Sequence, residues 1–256
     1  MIAPHIAQWL ALLEHGCASG DDRYLHILLD QAASHRPWRP SVMSVEPPLA
    51  WCSLFDGLPE AAARDLAPLL VRVDLAQPLQ RHWLQGVLQA TDGQAQLLAL
   101  RSHWPFEALA RHLGRCLEAR LGGVTGLLRY YDPRLFPLLF SHVLHPEQQQ
   151  HWLRPAVFWS WLDRDGQGQR LAGTDDIPGP LERFEPIELS DHQVDILGCA
   201  SDVTLGMDAF TAACPADWGA ERRFQASYSA MLAASQAGVW RDDERQAYTL
   251  ERLRDA

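Results

Sequence analysis

Up to residue 161 the chain alternates short apolar runs with longer amphipathic segments, and turn signals separate them. The runs at 24–30, 51–55, 69–73, 95–100 and 156–161 have the length and near-continuous apolar character of strands covered on both faces. Between them, residues 59–66 and 78–90 read as helices. Asp56-Gly57 and Thr91-Asp92-Gly93 mark turns, and the prolines of 36–48 mark a loop, because proline cannot supply ladder donors. The first 17 residues place Ile6, Trp9, Leu10 and Leu13 on one helical face. Alternation of this kind predicts an α/β domain over residues 1–175, with a mixed, mostly buried sheet and flanking helices.

Beyond residue 161 the pattern changes. Residues 163–168 read as a turn, and the Gly- and Pro-bearing stretch 173–186 reads as a linker. Ser190 is a fitting N-cap, residues 217–237 carry Phe224, Tyr228, Met231, Leu232 and Ser235 on one face before Gly238, and Asp242 can cap a last helix to residue 253. A smaller, all-helical lobe is expected over 187–256.

Charge divides the chain at nearly the same place. There is no Lys; residues 1–154 carry 13 Arg against 14 acids, and residues 155–256 carry 9 Arg against 18, so almost all of the net −10 lies in the second part. That balance disfavours nucleic acid and anionic membrane as partners and suits a basic or dipolar surface. No apolar run approaches the roughly 20 residues that span a bilayer. The N-terminal segment lacks a basic n-region and a small-residue cleavage site. Five cysteines without a CxxC pair fit a reducing cytoplasm and buried thiols.

The most distinctive stretch is Arg129-Tyr130-Tyr131-Asp132-Pro133-Arg134. It comes after residues 124–128, which read as a buried strand, so Tyr130 and Tyr131 are expected on opposite sheet faces. Asp132 can accept from free N–H groups of the next helix, Pro133 suits a first helical position, and Arg129 and Arg134 can both hold the carboxylate. Upstream, residues 105–121 read as a helix with Phe106, Leu109, Ala110, Leu113 and Leu117 at helical spacing. Downstream come an apolar segment at 135–144 that Pro137 should kink, a helix opened by Pro146-Glu147-Gln148-Gln149, and the Trp-bearing run 156–161.

In this order, over residues 24–165, the series resembles the type VI secretion adaptor family of effector chaperones, also classed as a domain-of-unknown-function family. One departure is Trp104 at the position where a helix-capping Ser is expected, with Ser102 two residues earlier. The resemblance implies a cytoplasmic, non-enzymatic adaptor without cofactor or membrane anchor. Such a protein binds the N-terminal region of a secreted toxin and loads it onto the VgrG-type spike protein. A cleft between lobes would bury the toxin's apolar surface, and acidic groups such as Asp242, Asp243 and Glu244 would steer it.

Other constellations admit other chemistry. Asp30, Asp74, Asp132 and Asp163 each end an apolar run; on parallel strands they would gather at one sheet edge and could hold a divalent metal for hydrolysis. The plainer reading is that each caps the helix or turn next to it, and no phosphate loop or nucleophile elbow accompanies them. His142, His145 and His151 lack the Cys or HExxH partners of a zinc site, so no metal is expected. Trp159 and Trp161 share one strand face, as core packing or as an aromatic groove for a partner.

Overall fold

The computed structural model describes residues 2–17, 23–34, 37–176 and 184–255. Asp21 and Asp22, Arg36 and the middle of the expected linker lie outside the described residues. Within the remainder the chain divides into two compact units, Met1–Arg120 with Val124–Ile187, and Leu121–Gly123 with Glu188–Ala256.

The larger unit is α/β, built on a six-stranded sheet. Its elements are α1 (Pro4–Cys17), β1 (Tyr24–Leu29), α2 (Arg39–Met43), β2 (Ala50–Ser53), β3 (Leu69–Asp74), α3 (Pro78–Ala90), β4 (Leu97–Arg101), α4 (Phe106–Arg115), β5 (Glu118–Leu121), β6 (Val124–Leu127), α5 (Phe136–Leu138), α6 (Pro146–Leu153), β7 (Phe158–Leu162) and β8 (Gly168–Ala172). The sheet order is β2-β3-β1-β4-β7-β8, and every neighbouring pair in it is antiparallel. The parallel arrangement needed to gather the four aspartates is therefore absent from this sheet. Tyr24 pairs with Asp74, so Asp74 lies at the opposite end of its strand pair from Asp30.

Both faces of the central strands are covered, which explains their near-continuous apolar sequence. On one face α1 and α3 bring Ile6, Trp9, Leu13, Leu84 and Leu88 against Leu25, Ile27, Val71 and Phe158. Gly16 is required there, because a Cβ would stand 2.7 Å from the Phe158 ring. The Trp9 indole also donates to the buried Ser160 hydroxyl at 2.8 Å, fixing α1 on β7. On the other face, Phe136 meets Trp159 and Trp161 with ring centroids 4.9 and 5.5 Å away.

Several elements differ from the sequence expectation. The expected helix 105–121 ends at Arg115; Gly122 and Gly123, with φ of 55° and 85°, turn β5 into β6. β6 is mostly exposed rather than a buried strand. The segment after Asp132 forms one short α-turn that continues as a π-turn over Leu139–Val143, the irregularity expected of Pro137. The start of the expected linker instead belongs to the sheet unit. There Gly173, Thr174, Asp175 and Asp176 donate backbone bonds to Val157, Leu153, Ala156 and Arg154, at 2.8 to 3.0 Å.

After β9 (Ile187–Leu189), the smaller unit consists of α7 (Asp191–Ala213), α8 (Ala220–Gln236) and α9 (Asp242–Arg254). Ser190 and Gln193 form a capping box at the start of α7. Val203, Phe210, Phe224, Tyr228, Met231 and Leu253 are buried. The Tyr228 hydroxyl donates to the Ile196 carbonyl at 3.1 Å, and Arg245 pairs with Asp202 at 3.0 Å.

Candidate functional site

The R-Y-Y-D-P-R stretch is a turn, not the end of a strand, so the tyrosines do not alternate across a sheet. Both are buried. The Tyr130 hydroxyl donates to the Leu113 carbonyl at 2.9 Å, and its ring lies 5.4 Å from that of Trp152, joining α4 to α6. Burial raises the Tyr130 phenol well above its usual range, so it remains a hydrogen-bond donor.

The two arginines serve different carboxylates. Arg134 holds Asp132 by two bonds, Nε to Oδ1 at 3.0 Å and Nη2 to Oδ2 at 2.7 Å, and its own N–H donates to Oδ1 at 2.9 Å. Asp132 thus stabilises the turn through Pro133, with the helix starting only at Phe136. Arg129, expected on the same carboxylate, instead crosses to Asp30 at the end of β1, at 2.7 Å, and its guanidinium lies 5.6 Å from the Tyr131 ring. Desolvation raises the Asp30 pKa, opposed by Arg129 and by the Ala32 N–H that donates to Oδ1.

Asp74 accepts from Ala76 N–H, and Asp163 accepts from Asp165 and Gln167 N–H groups and the Gln169 amide. Each of the four aspartates stabilises its own turn. No group of three or more metal-ligating side chains gathers among the described residues, the three histidines included. His145 precedes α6, its N–H donating to the Gln148 side chain, while the His151 ring packs against Phe184 and Trp152. Near the position expected to hold a capping Ser, Ser102 accepts from the Trp104 N–H and the Trp104 indole donates to the Asp176 carbonyl.

Trp159 is fully buried and Trp161 nearly so. The Trp159 indole donates to the Trp152 carbonyl at 2.8 Å. As an open aromatic groove for a partner the pair is excluded by its burial; these rings are core. Asp242, Asp243 and Glu244 occupy the exposed first turn of α9, where negative charge complements the helix dipole, and Arg241 pairs with Asp243 at 3.1 Å and Glu244 at 3.6 Å.

Comparison with known proteins adds one result. Residues 25–151, just under half of the chain, match the model of a family described as a domain of unknown function (DUF4123). The match runs from β1 to the last turn but one of α6 and contains the whole R-Y-Y-D-P-R turn. No curated protein and no solved structure matches the chain. No helix among the described residues is long and apolar enough to cross a membrane.

Proposed function

We propose that this protein is a non-enzymatic adaptor of type VI secretion, holding the N-terminal region of a toxin effector and presenting it to a VgrG-type spike protein in the cytoplasm. The observation that carries this reading is the family match over residues 25–151, since that family is generally linked to type VI effector adaptors. The site's chemistry supports it. The residues that distinguish the matched region serve as donors, acceptors and packed rings within the fold, and the four aspartates are engaged by separate partners, Asp30 by the distant Arg129 and the others within their own turns. A protein that receives a partner needs a rigid frame, and the R-Y-Y-D-P-R turn, tied to β1, α4 and α6, supplies one.

The direct experiment begins with the neighbouring genes. A spike gene and a toxin gene beside this one are expected, and the tagged protein should capture the toxin's N-terminal region when the two are co-expressed. A ternary complex with the spike should form next. Failure to bind either partner, with hydrolysis of a phosphoester dependent on Asp30, would replace the adaptor with a metal-dependent hydrolase.

A further inference from the structure

The six-stranded sheet ends on β2, and that edge has an unusual border. Leu54 N–H donates to the Pro68 carbonyl at 2.9 Å, which sets the phase of the β2–β3 ladder. Bonded pairs alternate in an antiparallel ladder, so Cys52 and Ala50 turn their backbone groups toward β3. Trp51 and Ser53 therefore turn theirs outward. The Ser53 carbonyl accepts a turn bond from Asp56. Among the described residues nothing pairs with the Trp51 N–H, the Trp51 carbonyl or the Ser53 N–H, which are left for a further strand.

Beside this edge, between β2 and α4, lies a cleft of about 600 Å³. Cys52, Phe106, Ala110 and Gly114 form its floor. Gly114 lets α4 approach the end of β2 closely, because a Cβ there would stand 3.2 Å from the Leu54 carbonyl oxygen. Burial pushes the Cys52 thiol up to about 12, so this floor is uncharged at neutral pH. On the rim, Arg111 is exposed and makes no ion pair with any described residue, whereas Arg115 is engaged by the carbonyl and ring of Phe184. Asp56, Glu107 and Glu118 border the same cleft.

We propose that β2 and this cleft receive an extended peptide segment by strand addition, with alternate apolar side chains in the cleft and a carboxylate opposite Arg111. Three outward backbone groups give the added strand its hydrogen bonds, and the apolar floor gives every second side chain a pocket. Arg111 fixes where an acidic residue sits, while Glu107 and Glu118 exclude acids elsewhere along the rim. The segment's source in the toxin's N-terminal region rests on the adaptor reading; the strand-addition site does not.

Two fluorescent, strand-length probe peptides of alternating valine and threonine, one with a central glutamate and one with a central lysine, test this by anisotropy on the full chain, alongside the toxin's N-terminal region. The glutamate probe should bind better than the lysine probe, and Arg111→Glu should invert that order. Ser53→Pro removes an outward N–H without touching the β3 ladder, and should weaken binding about tenfold, equivalent to about 1.4 kcal/mol. Ser53→Ala should bind normally, and melting of both variants should report an intact fold. If the toxin region binds equally to Ser53→Pro and to the unaltered protein, strand addition at β2 is overturned and the adaptor reading stands. If the glutamate probe binds in a Ser53- and Arg111-dependent way but the toxin region does not, the site stands and the adaptor reading loses its support. Binding by neither overturns both.

Discussion

Arg129 donates to Asp30 across 99 residues of chain, at 2.7 Å, joining the R-Y-Y-D-P-R turn to the end of β1. The Asp30 side chain is only 1% exposed while that of Arg129 remains 44% exposed. The two ends are therefore unequal: losing Arg129 strands a buried charge, whereas losing Asp30 frees a cation that water can still reach.

Arg129→Ala should therefore destabilise the protein by about 2 kcal/mol, below the cost of breaking a fully buried pair because solvent screens the arginine. The pH dependence has a definite sign. Burial already raises the Asp30 pKa in the folded state, so folding binds its proton, and this group's contribution falls as pH rises through the folded pKa. Removing Arg129 raises that pKa further. The deficit in urea melts should be largest near neutral pH and shrink in acid, where Asp30 is protonated; a deficit that grew in acid would contradict the pairing.

His26 supplies a second, opposite dependence. Both ring nitrogens are buried without a partner, beside Phe106 at a ring distance of 6.1 Å. Burial, with Arg72 nearby, lowers its pKa to about 3. Below about pH 6.5 the unfolded chain takes up a proton that the folded one refuses, so stability present above that pH is lost progressively down to about pH 3. The slope from this residue reaches about 1.4 kcal/mol per pH unit. Urea titrations of His26→Leu across pH 4 to 7 should show a flatter curve; an unchanged slope would place the acid sensitivity elsewhere.

The alternation of strands and helices was legible because both faces of the sheet are covered, so β1, β4 and β7 read as near-continuous apolar runs. Strand direction was not, since the same apolar run serves a parallel or an antiparallel neighbour. In the candidate site, the local half could be read: Asp132 with Arg134 is a contact between residues two apart. Arg129 with Asp30 depends on tertiary folding, and no spacing in the sequence announces it. β8 escaped notice because Gly168, Gln169 and Arg170 offer little strand propensity; its place comes from pairing with β7.

Gly173 seats a docked segment whose Gly- and Pro-bearing sequence has the composition of a linker. A Cβ there would stand 1.9 Å from the Ala156 carbonyl oxygen and 2.6 Å from that of Leu153, both backbone atoms. Gly173→Ala must push the 173–176 segment off the α6–β7 junction, at about 3 kcal/mol. Thermal melts should show a marked fall, and hydrogen exchange should quicken at residues 173–176. Near-normal melting would mean that the segment docks loosely.

Metal removal offers a further check. Asp30, Asp132 and Asp163 are satisfied by separate partners, and Asp74 lies at the far end of the β1–β3 pair from Asp30. Chelator treatment should leave the melting temperature unchanged, and added magnesium, manganese or zinc should not raise it. A resident metal at a hundredfold excess over its Kd would contribute about 2.7 kcal/mol, well within reach of a melting measurement. A shift abolished by Asp30→Asn would count against the adaptor.

The last prediction concerns the acidic helices. Within the helical unit, residues 188–256 hold 12 acids against 6 Arg, and α9 opens with Asp242, Asp243 and Glu244 exposed together. The matched family region lies wholly before the helices of the smaller unit; on the adaptor proposal, a shared partner such as a spike would suit the α/β unit, and the charge of the helical unit would suit steering of a toxin. Charge reversal at the three acids should slow toxin association several-fold at low salt, with less effect at physiological ionic strength, where screening extends over about 8 Å. Spike binding should not change. Because these acids also favour the start of α9 by about 0.3–1 kcal/mol each, the neutral set Asp242→Asn, Asp243→Asn and Glu244→Gln belongs beside the reversal, with melting checked for both. Stopped-flow association rates for toxin and spike decide the matter: equal slowing of both partners, or of neither, would remove the division of roles between the two units.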